Sequence, residues 1–525
     1  MKTLSQRSSN SQLVINMLSS VVVFVIGLCI SFFLTPYIVE KLGAAAYGFI
    51  GLSTNIIGYS GLITIAINSM AGRFITLRVH AGDIHGANVY MSSVFYVNLL
   101  FALIILAAVC ISAVWLENII HIPADLVNDV KTLYVMLGVS SGLSLMTGVI
   151  SVGAFIRNRL DITNVREFIG NVIRVVLLLL LFGLCTPRLW YFGITALVMA
   201  AYMAASNYYF FRLLTPELVI KHALFSWKSL VEIAASGVWN IVNKISNLLT
   251  RGCELLLANL FVSARAMGLL SIALTLPGLI LNFFGAIARN FSPELTRYFA
   301  RGEIELMKND LFKAVRICGF LSAIPMAWLY AFGDVFFTLW MPGQDITMLY
   351  LLSIVGSVEL VFGLPIEPLW NIFVITDRVR RTSTYQFVLA IVTFGAIIGS
   401  MYITSDETLR LLLIAGIHSV LCVYRNLTFV PRFGAKCLGL AKSTFYPLIL
   451  KNLLNFSLIT AIGFICKQFM LNPVAENSNS WLRLICASVI FAIAGIIVSN
   501  FIIIRKSERD AILLKIGIKK AHRPK

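Results

Sequence analysis

The chain has 525 residues, 59% of them hydrophobic and only 13% charged, with 42 Lys and Arg against 24 Asp and Glu for a formal charge of +18. A soluble domain carries about a quarter charged residues, a basic nucleic-acid binder is richer still, and a disordered chain lacks this apolar content. What these numbers leave is a polytopic membrane protein whose few charges are strongly biased in sign.

A spanning helix needs about 20 largely apolar residues. Applied along the chain, that rule yields about 14 segments: 13–39, 47–71, 89–114, 132–156, 167–184, 190–211, 231–258, 266–288, 315–338, 348–375, 384–403, 409–430, 445–469 and 481–504. The first is longer than the 7–15 residue core of a signal peptide, so it reads as a retained span. The seventh is the weakest, because it contains Lys244, Arg251 and Glu254. With the N-terminus in the cytoplasm, about 30 Lys and Arg fall on the cytoplasmic side and about 7 outside, as the positive-inside rule requires. Both termini are therefore expected inside. The tail 505–525, with Arg505, Lys506, Arg509 and Lys515 among its cations, reads as a topology anchor or as a contact to anionic lipid.

An internal repeat emerges at an offset of 220 residues. Ala44-Ala45-Ala46-Tyr47-Gly48 falls on Ala264-Arg265-Ala266-Met267-Gly268, then Thr76 on Thr296, Gly82 on Gly302, Asp83 on Glu303 and Ile84 on Ile304. Matching glycines and acids in loops is harder to obtain by chance than matching apolar helices. The repeat unit holds an even number of spans, which makes the copies parallel repeats about an axis along the membrane normal. The expected organisation is an N-lobe at 1–213, a linker at 214–229, a C-lobe at 230–433, two extra helices within 434–504, and the tail 505–525. The fold class is all-α, with two six-helix bundles related by a pseudo-two-fold axis plus those two helices.

No connection is long enough for a catalytic domain, and the outer loops are too short for a membrane glycosyltransferase or polymerase. No GxxxxGK[ST] phosphate loop occurs, so any transport runs on a gradient. Nine Cys stand singly, with no CxxC pair, and six His form no cluster with them along the chain. Neither a metal centre nor any cofactor is expected.

The stretch Pro36-Tyr37-Ile38-Val39-Glu40-Lys41-Leu42-Gly43-Ala44-Ala45-Ala46-Tyr47-Gly48 resembles the "P…LG…YG" segment of Wzx-type polysaccharide flippases. Ser292-Pro293-Glu294-Leu295, with Tyr298, Ala300, Gly302 and Glu303, resembles the matching turn of their second lobe. These proteins belong to the multidrug/oligosaccharidyl-lipid/polysaccharide (MOP) superfamily. The resemblance implies a transporter, not an enzyme, in the bacterial inner membrane. It would move an undecaprenyl-diphosphate-linked oligosaccharide to the periplasmic leaflet by alternating access. Lipid II flippases and organic-cation or drug antiporters of the same superfamily are the alternatives. Implied partners are the lipid-linked substrate, membrane lipids, H+ or Na+, and other polysaccharide-assembly membrane proteins. Nucleic acid is excluded.

Charges at span depth mark a cavity or pathway by default. Asn240, Asn243, Lys244, Asn247, Arg251 and Glu254 form one stripe at 3.6 residues per turn. Lys244 and Arg251 are candidate diphosphate partners, unless Arg251 and Glu254 neutralise each other at i and i+3. Arg174, roughly 10 Å into the fifth span, and Arg425 are weaker candidates. His418, on the face of Arg425, and Asn55, Tyr59 and Asn98 complete the expected polar lining. Arg73 and Arg78 read as topology anchors or as first contacts of a head group. Glu359 and Glu367 are candidate ion-coupling groups, because Pro365 and Pro368 should break the helix around Glu367. A salt bridge to the cations of the seventh span is the other reading. Gly138, Gly142, Gly395 and Gly399 have the spacing of close helix packing.

Overall fold

The structure, a computed structural model, describes residues 9–157, 159–471 and 480–503. The basic tail 505–525 lies outside the described residues. Two compact units are present: Met1–Ile272 with Ser383–Phe394, and Ala273–Thr382 with Gly395–Lys525. Among the described residues every regular element is a helix.

The first unit is built from α1 (Ser9–Ser60), α2 (Leu62–His80), α3 (Ile84–Val114), the short α4 (Leu116–Ile119), α5 (Val127–Gly148), α6 (Val152–Ile156), α7 (Leu160–Leu184), α8 (Tyr191–Leu214), α9 (Trp227–Asn247), α10 (Glu254–Phe261) and α11 (Ala264–Ala273). α1 turns a corner at Gly43, whose φ of 85° suits glycine and few other residues. That corner converts one long helix into the first span and the start of the second. α5 packs on α3 and α8, α7 on α1 and α8, and α9 on α2 and α3. A cluster of Ile67, Ile75, Met91, Val94, Phe211 and Ile233 buries the α2–α3–α9 contact.

The second unit holds α12 (Thr275–Arg289), α13 (Ser292–Ala300), α14 (Ile304–Trp340), α15 (Ile346–Ile366), α16 (Leu369–Ile375), α17 (Val379–Met401, whose middle counts with the first unit), α18 (Glu407–Cys437), α19 (Tyr446–Met470) and α20 (Ser480–Ile502). α15 lies against α14 and α18, and α14 against α19 and α20. The two C-terminal helices are tied to α14 by the Trp328 Nε1–H bond to Ser488 Oγ (2.7 Å) and by a Lys467–Asp334 ion pair. The break expected beside Glu367 is present, since α15 ends at Ile366 and α16 begins at Leu369.

Ten described helices are long and apolar enough to cross a membrane, or eleven counting one bent pair. In α7 only 17% of the most apolar window is buried within the protein. Apolar surface of that extent is stable only against lipid, so the chain is a multi-pass membrane protein. Each segment expected from the sequence falls on a helix or on consecutive helices. α9 fails the apolar criterion because it carries Lys228, Glu232 and Lys244.

The compact units do not coincide with the expected lobes. α9 belonged to the second lobe by sequence, yet its Ile233 is buried among α2 and α3, so the first unit extends to Ile272. The segment 214–229, expected as the linker, is fastened to α3. Its backbone N–H groups at Val219, Lys221 and Ser226 donate to Asn88 Oδ1, Ser92 Oγ and Ser93 Oγ of α3.

The repeat is visible in local conformation. Gly82 and Gly302 have φ of 78° and 72°, and each precedes an acidic residue at a helix start. The hydroxyls of Thr76 and Thr296 both donate four residues back, to Gly72 O and Ser292 O. Within the first unit, repeat-equivalent Gly48 and Gly268 touch: a Cβ on Gly268 would stand 2.2 Å from Ala44 O. Gly138 also serves close packing, since a Cβ there would meet Val109 at 2.6 Å. Gly395 and Gly399 do not, because no described atom lies within 4 Å of a Cβ built on either.

Candidate functional site

In the first unit a cavity of about 270 Å³ opens between α1, α7, α8 and α11, lined among others by Thr35, Tyr47, Asn171, Arg174 and Ser271. The Gly43 corner builds it. Folding α1 back on itself brings Thr35 and Tyr47 together, with oxygens 3.4 Å apart, on either side of the turn. α7 supplies Asn171 and Arg174, three residues apart and so on one face. No acidic side chain lines the cavity, and among the described residues none lies within ion-pair reach of Arg174. α7 starts at Leu160, earlier than the fifth span expected from the sequence. Arg174 therefore lies roughly 21 Å along the helix from its start. A guanidinium in this setting offers a planar set of donors to an anion.

The polar stripe is only partly preserved. Lys244 and Asn247 are exposed, Asn240, Asn243 and Arg251 are half-buried, and Glu254 is buried at 6% exposure. Between Asn247 and Glu254, Leu248–Gly252 is a π-helical turn. A π turn holds more residues per turn than an α-helix, so positions beyond it rotate away from a stripe counted at 3.6. The carbonyl of Gly252 accepts two hydrogen bonds there, from Tyr59 OH (2.7 Å) and Asn55 Nδ2 (3.2 Å). Both groups were expected to line a sugar site, and both are committed to stabilising this turn. Asn98, expected beside them, is fully buried; it exchanges amide hydrogen bonds with Asn68 and donates to Leu145 O. Arg73 and Arg78 are exposed, and Arg78 pairs with Asp83 at 3.0 Å.

In the second unit, α15 and α18 bring three of the expected residues together. Glu359, 2% exposed, has Oε1 3.7 Å from His418 Nε2 and Oε2 3.7 Å from the Arg425 guanidinium. Asn426 Nδ2 donates to the Glu359 carbonyl, and Arg425 lies over the Trp370 ring at 5.5 Å. Glu359 is thus ion-paired within the second unit, with partners supplied by α18. Cys422 joins His418 and Glu359, so the absence of any His/Cys cluster inferred along the chain does not hold in space. Glu367 is half-buried at the α15–α16 turn.

Two buried arginines escaped the sequence reading. Arg166, 3% exposed, donates to Asn207 Oδ1 at 2.8 Å and lies over the Phe210 ring. Arg316 is 7% exposed in α14. Each falls at the edge of an expected span, where a cation reads as a topology anchor. An earlier helix start was the missing signal.

No family model matches this sequence. The chain is 28% identical over 502 residues to the uncharacterized membrane protein EpsK of Bacillus subtilis strain 168, covering 95% of this chain and 97% of the relative. Among solved structures it is similar to an inward-facing multidrug resistance MATE family transporter of the MOP superfamily, with TM-score 0.62, 15% identity, 78% of this chain and 94% of that one. It is also similar to the lipid II flippase MurJ in an inward closed conformation, with TM-score 0.61, 14% identity, 95% of this chain and all of that one. A MOP superfamily transporter from Pyrococcus furiosus is similar at TM-score 0.56 and 14% identity, over 82% and 95% of the two chains. By these matches this chain carries the fold of the MOP superfamily transporters.

Proposed function

We propose that the protein is a flippase for a lipid-linked oligosaccharide, moving an undecaprenyl-diphosphate-linked repeat unit to the outer leaflet of the bacterial inner membrane by alternating access. The observation that carries this reading is the Arg174 cavity, a largely apolar recess whose lining holds one cation and no acid. Such a recess suits a phosphate-bearing head group and is wrong in sign for an organic cation, which weighs against the drug-antiporter reading. Exposed Lys244 is the second phosphate contact, and Arg251 a third. Arg425, held by Glu359, ranks below them. Both termini are cytoplasmic in this proposal, and coupling to H+ or Na+ runs through Glu359 or Glu367.

Lipid II is the second reading. The MurJ match covers 95% of this chain, whereas the inward-facing MATE match covers 78%. α19 and α20 hold more residues than the uncovered 5%, so at least part of that pair has a counterpart in MurJ.

The test is translocation of an undecaprenyl-diphosphate oligosaccharide by the reconstituted protein. Arg174→Ala should abolish most of the flux, and wild-type flux in that variant would overturn the assignment. Depleting the protein in cells separates the two substrates, by whether the polysaccharide precursor or lipid II accumulates on the cytoplasmic leaflet.

A further inference from the structure

We propose that Glu359, His418 and Cys422 form a binding site for a thiophilic divalent metal ion of the zinc class. The inference rests on side-chain placement within the second unit and stands independently of the transported substrate. His418 and Cys422 are i and i+4 on α18, so their side chains stack one turn apart on a single face. α15 packs along α18 and delivers Glu359 to that face. One ligand atom from each residue (imidazole nitrogen, thiol sulfur, carboxylate oxygen) lies within 4.8 Å of the other two. The residues are 2%, 5% and 2% exposed in chain order.

The donor set is selective. Imidazole and thiolate suit zinc and other soft ions, and hard cations such as Mg2+ or Ca2+ take oxygen ligands. Zinc bonds are about 2.0–2.3 Å long, which places neighbouring ligand atoms roughly 3.5 Å apart. Side-chain shifts of about an ångström therefore close the site around an ion. Three protein ligands leave a fourth position open, as in zinc sites that take a further ligand.

Charge also balances. Binding breaks the Cys422 S–H bond and forms a metal–sulfur bond, and the proton leaves to bulk buffer. Thiolate and carboxylate then carry two negative charges against the 2+ of the ion, with no change of oxidation state. Before binding, Arg425 supplies the positive charge at Glu359 Oε2. Its side chain is 19% exposed and stacked over Trp370, so it keeps a resting place when a metal replaces it.

The purified full-length protein in detergent is titrated with Cd2+ and followed by the ultraviolet thiolate-to-cadmium charge-transfer band. One ion per chain is expected, with affinity falling at least about tenfold in Cys422→Ser and in His418→Gln, and unchanged in Cys437→Ser. Retention of the band in Cys422→Ser, or its absence from the wild type, overturns the proposal. To guard against variants that fail to fold, X-ray absorption on the wild-type protein loaded with Zn2+ gives a second readout. One sulfur in the first coordination shell supports the site, and a shell of nitrogen and oxygen alone refutes it.

Discussion

Buried charge is handled in opposite ways in the two units. In the first, Arg174 lines a largely apolar cavity that contains no acid. In the second, Glu359 sits between His418 and Arg425, each 3.7 Å away. A charge removed from water without a partner is destabilising, and one with partners is close to neutral. An uncompensated guanidinium is therefore tolerated where it meets a ligand, whereas the compensated carboxylate holds helices together. Depth in the membrane is the same kind of signal in both units, and the partner list separates the roles.

The largest test of this contrast is Arg174→Ala. Losing a charge-assisted phosphate contact costs about 3 kcal/mol, roughly a hundredfold in flux, while the melting temperature in detergent stays constant or rises. Arg174→Lys should retain part of the flux, because the charge survives and the planar donor set does not. A fall in melting temperature without a fall in flux would erase the distinction between the units.

Glu359→Gln should do the reverse at the level of stability. Removing the acid leaves Arg425 and His418 facing each other, and deleting one partner of a buried pair costs about 3 kcal/mol. Denaturation in detergent should show the loss, and combining Glu359→Gln with Arg425→Ala should recover part of it. Strict additivity would show that the three groups do not act as a unit. Tyr59→Phe should be milder, about 1 kcal/mol of stability, because Asn55 still donates to the Gly252 carbonyl.

The smallest effect concerns the repeat-related loops. Asp83 accepts the Gly86 N–H at 2.8 Å, which holds its carboxyl below the ordinary 3.8, with Arg78 adding to the effect. A lowered folded value means the contribution is complete above the unfolded value and is lost as pH falls through the folded one. Wild type and Asp83→Asn should therefore converge in melting temperature below about pH 4 and differ slightly at neutral pH. Glu303, at the equivalent position, makes no side-chain cap, and Glu303→Gln should show no such convergence.

Much of the architecture was legible because it is local. Hydropathy located the spans, Pro365 and Pro368 located the break beside Glu367, and the offset of 220 residues located two glycines that share a positive φ. The π turn at Leu248–Gly252 was not legible. Nothing in the spacing of Arg251 and Glu254 announces an extra residue per turn, which offsets Glu254 from a stripe counted at 3.6. The partners of the expected linker 214–229 were not legible either. Its composition is that of a loop, but Asn88, Ser92 and Ser93 of α3 satisfy its backbone.

The membrane class, the succession of spans and the short list of intramembrane charges follow from the sequence by itself, because apolar length and charge bias are properties of contiguous residues. Which of those charges is paired was decided only by the tertiary structure. Glu359 meets His418 and Arg425 across a gap of about sixty residues of chain, and Arg174 is left facing a cavity by a corner at Gly43. Partners in a helical membrane protein come from other helices, and no periodicity within one helix records which face a neighbour will cover.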